Sequence, residues 1–285
     1  MSHKDFINNQ SPRFTKVNCI ATLAILLLLN ACGSSGDDDS VPVNMLPASA
    51  ETSNSGESAD FVNNSSATNY KVLFLGNSHI ATIPGLLSTF VKAHMPTKSM
   101  NTTDTPNILF LDEKLHDNKS VQLLENNSWT HVVLQGQKYS QSGQVEYSTT
   151  ETQEWIKKTK VKKATPILFP EHPQKGDPAE GIRVLSLHLG IAALEPSCVA
   201  PIGPAWKAVI DQYPEVDLHA PDGNHASLSG QFLSALVFYQ VLTGESADLL
   251  PYIDSIDVSP ELQDAFGQIV SSVIEKARVC PDTDD

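Results

Sequence analysis

The pattern of apolar and polar positions divides the chain into three parts. Val17–Leu29 is an almost unbroken apolar run, and a polar stretch without Lys or Arg covers 33–69. From residue 70 onward, short apolar runs alternate with segments in which apolar residues recur every three or four positions. Short runs are typical of buried strands and the longer spacing is typical of helices. The pattern therefore predicts one folded domain over 70–285, preceded by segments that do not belong to it.

Strands and helices alternate through this predicted domain. The apolar runs predict strands over 70–75, 107–111, 130–134, 165–169 and 198–202. The helical spacing predicts helices over 79–94, 118–126, 149–162, 178–194, 205–212, 227–243 and 260–279, and on the fourth of these Ile182, Leu185 and Leu189 share one apolar side. Near-continuous apolar strands joined by helices indicate a parallel sheet covered on both faces. With right-handed crossovers, the prediction is an α/β fold: a three-layer α/β/α sandwich with a five-stranded parallel sheet, flavodoxin-like.

The N-terminal part has the layout of an export signal. Lys4, Arg13 and Lys16 precede the apolar run, which at 13 residues is shorter than the roughly 20 that a membrane-spanning helix needs. The run ends in Leu29-Asn30-Ala31-Cys32, which resembles a bacterial lipobox. Residues 1–31 are therefore predicted to be a lipoprotein signal peptide and Cys32 to carry the lipid. Simple cleavage and a retained anchor are the alternatives.

The residue after the lipobox bears on localisation. Gly33, rather than Asp, follows Cys32, and this resembles the signal for outer-membrane delivery in proteobacterial lipoproteins. The predicted localisation is export, with the lipid anchor in a bacterial membrane, most readily the outer membrane, facing the periplasm or the surface. Residues 32–69 are predicted to be the lipidated cysteine and a flexible acidic tether, because such a composition buries too little apolar surface to offset the entropy of ordering.

Charge narrows the range of partners. The formal net charge is −14, and removal of residues 1–31, which carry a net +2, makes it −16. Such a chain is not expected to bind nucleic acid, which requires basic patches. Contact with a membrane is expected through the lipid anchor only, and the oligomeric state stays open. No cofactor or metal is predicted, and a zinc site formed by His219, Asp222 and His225 is disfavoured.

The four cysteines agree with export. Cys19 lies in the signal peptide and Cys32 at the lipid site, which leaves Cys198 and Cys280 as an even pair. In an oxidising compartment such a pair predicts a disulfide. Two unpaired thiols are the alternative.

Polar clusters follow the predicted strands and precede a late helix. They occupy 76–79, 135–137 and 222–225. Ligands of open parallel sheets bind beyond the carboxyl ends of the strands, so the topology is expected to bring these clusters to one edge. A serine nucleophile needs a base, a carboxylate to orient that base, and donors for the oxyanion. Ser78, His225 and Asp222 are candidates for the first three roles, and the backbone N–H of Ser78 is one candidate donor.

These residues resemble the SGNH, or GDSL-like, hydrolase superfamily. Gly76-Asn77-Ser78 resembles its first block and Asp222-x-x-His225 its last, whereas an α/β-hydrolase would have Gly at position 80, where this chain has Ile. The resemblance covers most of 70–250 and implies the same parallel α/β fold and a Ser-His-Asp triad.

The resemblance also implies an oxyanion hole, at which this chain departs from the family. The family has an Asn after the third strand, where Gln137 stands here with Gln135 as its rival, and Gly136 and Asn77 are expected to line the same oxyanion or substrate site. The family's Gly after the second strand has no counterpart, since no glycine lies between Gly85 and Gly136. A backbone N–H of 112–114 could serve instead.

The predicted function is that of a serine esterase acting on carboxylic esters, acyl or acetyl, of small molecules or of envelope glycans or lipids. An O-acyltransferase and a catalytically inert binding lipoprotein are the alternatives, and the missing glycine favours the inert protein. His79 is interpreted as a residue of the first helical turn, with a place in the lining of the pocket as the alternative. Glu171 and His172 are interpreted as part of a solvated loop, with contact to the substrate as the alternative.

Overall fold

The folded part of the chain is built on a five-stranded parallel sheet with the strand order β2-β1-β3-β4-β5. The computed structural model describes residues 59–105 and 108–282. The predicted signal peptide, Cys32 and residues 33–58 therefore lie outside the described residues. The strands are β1 (Asn69–Leu75), β2 (Ser99–Asp104), β3 (His131–Gln135), β4 (Thr165–Phe169) and β5 (Cys198–Val199). The predicted parallel five-stranded α/β fold is confirmed.

Helices cover both faces of the sheet. Among the described residues they are α1 (Ile83–His94), α2 (Leu111–Lys114), α3 (Asn118–Glu125), α4 (Thr150–Val161), α5 (Glu180–Leu194), α6 (Ile202–Gln212), α7 (Leu228–Thr243) and α8 (Pro260–Glu275). Alternate residues of β1 enter different cores: Val72 and Phe74 pack with α1, α6, α7 and α8, whereas Leu73 and Leu75 pack with α3, α4 and α5. This division produces the three layers. Within the part of the chain that the structure describes, every helix lacks the length and apolar character needed to cross a membrane.

The strand register brings the polar clusters to one edge. Leu75 of β1 is level with Leu134 of β3, and Gln135 is level with Phe169 of β4. The residues that directly follow β1, β3 and β4 therefore emerge side by side, as expected for parallel strands.

The second strand differs from the prediction. The structure has β2 at Ser99–Asp104, paired with β1 from Asn69↔Ser99 to Phe74↔Asp104. In the predicted strand over 107–111, residue 107 lies outside the described residues, Ile108 is 78% exposed and Leu111 begins α2. The physical reason is that β2 is an edge strand whose residues are polar apart from Met100, so its sequence carries no apolar run.

The domain begins upstream of the predicted boundary at residue 70. Phe61 and Ala67 pack against the core, and the Asn64 side chain donates a hydrogen bond of 2.9 Å to the carbonyl of Thr130. The Thr165 hydroxyl donates to the carbonyl of Val62 at 2.7 Å. Residues 61–69 are thus part of the fold rather than of the tether.

The C-terminal segment is joined to the sheet at β5. Cys198 and Cys280 form a disulfide, and the Val199 N–H donates to the carbonyl of Val279 at 2.7 Å. Strand β5 is shorter than the predicted 198–202, because Ile202 already begins α6. The disulfide therefore fastens the chain end to the shortest strand of the sheet.

Candidate active site

Ser78 lies in a tight turn directly after β1. Asn77 caps a single 3₁₀ turn, Ser78–Ile80, by accepting a 3.1 Å hydrogen bond from the His79 N–H. The Asn77 N–H itself donates to Oε1 of the buried Gln135 at 2.6 Å. Glycine is required at position 76, because a Cβ there would lie 2.7 Å from Gln135 Oε1 and 2.8 Å from Ile80 Cγ2. The turn is thus fixed from behind while Ser78 is exposed in front.

A loop before α7 carries Asp222 and His225. It is closed by hydrogen bonds from the Ala220 N–H to the His225 carbonyl, 2.7 Å, and from the Ser227 N–H to the Leu218 carbonyl, 2.9 Å. Gly223 makes the sharp turn with φ of +73°, a conformation that L side chains rarely adopt. Asp222 Oδ1 accepts the backbone N–H of His225 at 2.9 Å, so the carboxylate is held close to the imidazole.

The structure brings Ser78, His225 and Asp222 together. Ser78 Oγ is 2.8 Å from His225 Nε2, and His225 Nδ1 is 2.6 Å from Asp222 Oδ2. The hydrogen bonds from His225 and Asn224 lower the pKa of Asp222, so it is a carboxylate at neutral pH. A carboxylate can only accept a hydrogen bond, so the proton of a neutral imidazole belongs on Nδ1. His225 Nε2 is then free to accept the proton of Ser78.

A row of aromatic rings supports His225. The His79 ring is stacked on the His225 ring, with centroids 5.0 Å apart, and the His172 ring is stacked on the buried Trp206, with centroids 4.0 Å apart. Burial, followed by the charge of His225, lowers the pKa of His79 to about 4. His79 is therefore neutral at pH 7 and packs against the base without competing for its proton.

The side chain of Gln137 is turned away from the triad. Its Nε2 donates to the carbonyls of Lys138, at 2.7 Å, and Ser148, at 2.9 Å, and its Oε1 accepts from the Thr152 hydroxyl at 2.6 Å. The amide is thus used to hold the loop after β3, and it is not available as the predicted oxyanion donor. Its rival Gln135 is fully buried behind the turn of Ser78.

Asn77 and Gly136 remain beside the triad. Asn77 Oδ1 accepts the His79 N–H, and Asn77 Nδ2 lies against Gly136, at 3.6 Å from where a Cβ would be built on that glycine. Gly136 has φ of +97° and accepts the Leu111 N–H at 3.0 Å. The residues after β2 that would hold the second donor include 106 and 107, which lie outside the described residues, and 112–114 form part of α2.

His172 is buried and Glu171 is largely covered, contrary to the interpretation as a solvated loop. The side chain of Glu171 is 13% exposed, and His172 is 3% exposed. Glu171 accepts a hydrogen bond from Gln135 Nε2, and His172 Nε2 contacts the Asn224 carbonyl at 3.0 Å. Burial raises the pKa of Glu171 to about 7. The two residues therefore join the turn of Ser78 to the loop of His225, and their position at the end of β4 was the only sequence signal for this.

A cleft of about 800 Å³ opens beside the triad. Asn77, His79 and Asn224, the chain neighbours of Ser78 and His225, form part of its wall. The loop after β3 contributes most of the rest, including Tyr139 and Tyr147. Within 59–105 and 108–282, His, Cys, Asp and Glu side chains form no group of three or more that could hold a metal ion. The chemistry available here is nucleophilic attack by a serine with a histidine base.

Comparison with solved structures identifies the fold. A DUF4886 family protein from Bacteroides uniformis is 14% identical, with a TM-score of 0.59 over 73% of this chain and 95% of that chain. The chain therefore shares the fold of that protein. A putative SGNH hydrolase from Slackia heliotrinireducens is 20% identical over 61% of this chain and 98% of its own, with a TM-score of 0.49. No protein-family model and no curated protein matches the chain. The comparison supports the predicted α/β fold, whereas membership of the SGNH/GDSL-like superfamily stays a prediction.

Proposed function

We propose that this protein is a serine hydrolase that cleaves carboxylic esters. The observation that carries the proposal is the continuous line of contacts from Ser78 Oγ to His225 Nε2, at 2.8 Å, and from His225 Nδ1 to Asp222 Oδ2, at 2.6 Å. Both distances are within the range expected of a nucleophile, its base and the group that orients the base. Ser78 and His225 are 147 positions apart in the chain, so the fold, and not chain proximity, brings the serine to its base.

The reaction proceeds in two steps. His225 Nε2 takes the proton of Ser78 as Oγ attacks the ester carbonyl carbon, and the imidazolium then gives that proton to the departing alcohol. Water then attacks the acyl-serine as it loses a proton to His225 Nε2, and the imidazolium gives that proton to the departing Ser78 Oγ, so that the carboxylic acid is released and the free serine is restored. Asp222 keeps the proton of the neutral imidazole on Nδ1 and stabilises the imidazolium. The oxyanion is stabilised by the Ser78 N–H and by Asn77 Nδ2, which takes the role first predicted for Gln137.

The chemistry of the cleft favours esters of polar alcohols with short acyl groups. Its wall combines hydroxyl and amide side chains with the aromatic rings of Phe110, Tyr139 and Tyr147, and Val145 is its one aliphatic member among the described residues. A long acyl chain would need a continuous apolar surface to leave water. Hydroxyl-rich substrates such as acetylated glycans can hydrogen-bond to the polar groups and stack on the rings.

Location at a bacterial envelope is part of the proposal. It is supported by the apolar run Val17–Leu29, by the lipobox-like Leu29-Asn30-Ala31-Cys32 and by a disulfide, which is typical of oxidising compartments. A Cys32→Ser variant expressed with its signal should leave the membrane fraction, whereas the unaltered protein should remain there. Equal recovery of both proteins in the membrane fraction would contradict lipid anchoring.

The direct test is labelling by a fluorophosphonate probe. Residues 59–285 should react at Ser78, with an Oγ–P bond formed as fluoride leaves, and should release p-nitrophenol from p-nitrophenyl acetate. Ser78→Ala should abolish both reactions, whereas Ser140→Ala, on the rim of the cleft, should keep the labelling of Ser78. Labelling at another residue, or none at Ser78, would refute the esterase.

A second candidate, an inert glycan-binding protein, is favoured by one observation. The Gln137 amide is committed to the Lys138 and Ser148 carbonyls, so one expected oxyanion donor is absent. An inert protein would bind acetylated oligosaccharides without releasing acetate, and Ser78→Ala would leave that affinity unchanged. Acetate release by the unaltered protein decides against this candidate.

A further inference from the structure

Behind the turn of Ser78, the buried side chain of Gln135 and the largely covered side chain of Glu171 are linked by hydrogen bonds. Glu171 accepts a hydrogen bond from Gln135 Nε2, and Gln135 Oε1 accepts the Asn77 N–H at 2.6 Å. Glu171 is thus two hydrogen bonds away from the backbone that carries Ser78. The three hydrogen-bonded residues lie at the ends of three different strands. Asn77 follows β1, Gln135 ends β3 and Glu171 follows β4.

Because Gln135 is buried, its hydrogen bonds to Asn77 and Glu171 fix the orientation of its amide. Gln135 is fully buried, and a buried amide that loses a partner costs about 1–3 kcal/mol. The amide can point its oxygen at Asn77 only while its nitrogen has an acceptor on the opposite side, which Glu171 supplies. The missing Cβ of Gly76 gives Gln135 the room to reach the turn.

Glu171 also faces the base of the triad. Its Oε2 is 4.0 Å from His79 Nε2, and the His79 ring is stacked on the His225 ring. Glu180 and Tyr139 are the other titratable groups that act on it, from α5 and from the loop after β3. The Tyr139 hydroxyl donates to Glu180 at 3.1 Å, so these two groups are paired with each other. Glu171 therefore holds Gln135 and bounds the side of His79, and it also forms part of the wall of the cleft.

We propose that Glu171 is a positioning residue, which acts through Gln135 to hold the turn of Ser78 in line with His225. It does not touch the reacting atoms; it supplies the acceptor that fixes the orientation of the Gln135 amide. Residue 171 must therefore have a side chain that is long enough to place an acceptor oxygen at Gln135 Nε2. The effect on catalysis rests on the proposed function, whereas the effect on the turn does not.

The first test measures the turn itself by hydrogen exchange. In the intact protein, Glu171→Leu removes the acceptor, and amide exchange in a peptide covering 73–82 should become at least tenfold faster. Glu171→Gln, which keeps an acceptor oxygen, should leave that exchange within about threefold of the unaltered rate. Gln263→Leu is the matched control, because Gln263 is also buried and hydrogen-bonded to the Ile253 and Val258 carbonyls, far along the chain in α8.

The second test is a double-mutant cycle on ester hydrolysis. Glu171→Leu and Gln135→Leu should each lower kcat by about 10- to 100-fold with KM within about threefold, and the double variant should be no slower than the worse single variant. Glu171→Gln should restore most of kcat. Gln263→Leu should lower the melting temperature but keep kcat.

The outcomes distinguish a failure of the positioning role of Glu171 from a failure of the proposed esterase function. Unchanged exchange in Glu171→Leu, additive effects in the cycle, or Glu171→Gln as slow as Glu171→Leu would each overturn the positioning role. No labelling of Ser78 in the unaltered protein would refute the esterase alone. In that case the exchange experiment still decides whether Glu171 holds the turn.

Discussion

Replacement of Asp222 by Asn tests the proposed roles of the triad, because it exchanges one carboxylate oxygen for an NH₂ group and changes little else. The backbone N–H groups of Asn224 and His225 both point at Asp222 Oδ1, at 3.0 and 2.9 Å. In Asp222→Asn these two donors select the side-chain oxygen and leave the NH₂ group facing His225 Nδ1. That nitrogen must then accept, so the imidazole proton moves to Nε2, which faces Ser78 Oγ. The base is then in the wrong tautomer.

The size of the effect follows from the contacts that hold the wrong tautomer. Rotation of the amide would restore the productive tautomer but would break the two backbone hydrogen bonds. Their loss makes the rotated orientation roughly 5- to 100-fold less populated than the unproductive one. Loss of the carboxylate charge beside the developing imidazolium lowers the rate further. If the proposed triad operates, we expect kcat/KM to fall by on the order of 10³- to 10⁴-fold, the size of the effect that the wrong tautomer has in a Ser-His-Asp protease.

The assay is hydrolysis of p-nitrophenyl acetate together with the rate of fluorophosphonate labelling. Asp217→Asn is the matched control, since Asp217 is a similarly exposed carboxylate that pairs with Lys175 at 2.7 Å and accepts the backbone N–H of His219, but holds no imidazole ring. It should stay within about threefold of the unaltered protein. Asp222→Asn within tenfold of the unaltered protein, or both variants equally slow, would refute the assigned role of Asp222.

Three further predictions concern stability and the turn of Ser78. Gly76→Ala introduces a Cβ 2.7 Å from Gln135 Oε1 and should cost about 1–3 kcal/mol by denaturant unfolding and slow labelling of Ser78, whereas Gly85→Ala, which meets nothing within 4 Å, should be tolerated. Reduction of Cys198–Cys280, a separation of 82 residues, should lower the free energy of unfolding by about 4–5 kcal/mol and the melting temperature by roughly 10–15 °C; a fall below about 3 °C would contradict this. Burial raises the pKa of Glu171 from 4.5 to about 7, so the unfolded chain releases this proton at lower pH and the folded state loses stability as pH rises through that window. Glu171→Gln should therefore gain in melting temperature relative to the unaltered protein between pH 5 and 8, and parallel curves would contradict the shift.

The parts of the site that sequence could predict are those fixed by local chemistry. Ser78 directly follows an apolar strand, and Asp222 and His225 share one short loop, so strand ends and chain spacing were enough to nominate all three. The parallel sheet followed from the apolar runs of β1, β3 and β4, which are buried on both faces.

The parts that sequence could not predict depend on contacts between distant segments. The orientation of Gln137 is set by the return of the loop to Ser148 and Thr152, which no local pattern reveals. The burial of Glu171 depends on its partner Gln135 on another strand. On α5 the buried side is formed by Gly181, Val184, His188 and Ile191, whereas Ile182 and Leu189 are 46% and 45% exposed, so the apolar side of the helix was assigned incorrectly.

The two edges of the sheet have a consequence for self-association. An edge strand offers unpaired N–H and carbonyl groups to any neighbouring chain, and long apolar edges are sites of aggregation. Here β2 has polar residues at all but one position, and β5 is two residues long and fastened to the C-terminal segment by the disulfide. Each edge is therefore a poor template for a strand from a second copy. Copies of the protein at high local concentration, as on a crowded surface, should therefore not pair through their sheet edges. The polar composition of β2, which prevented its prediction from the apolar pattern, is also what disfavours this pairing.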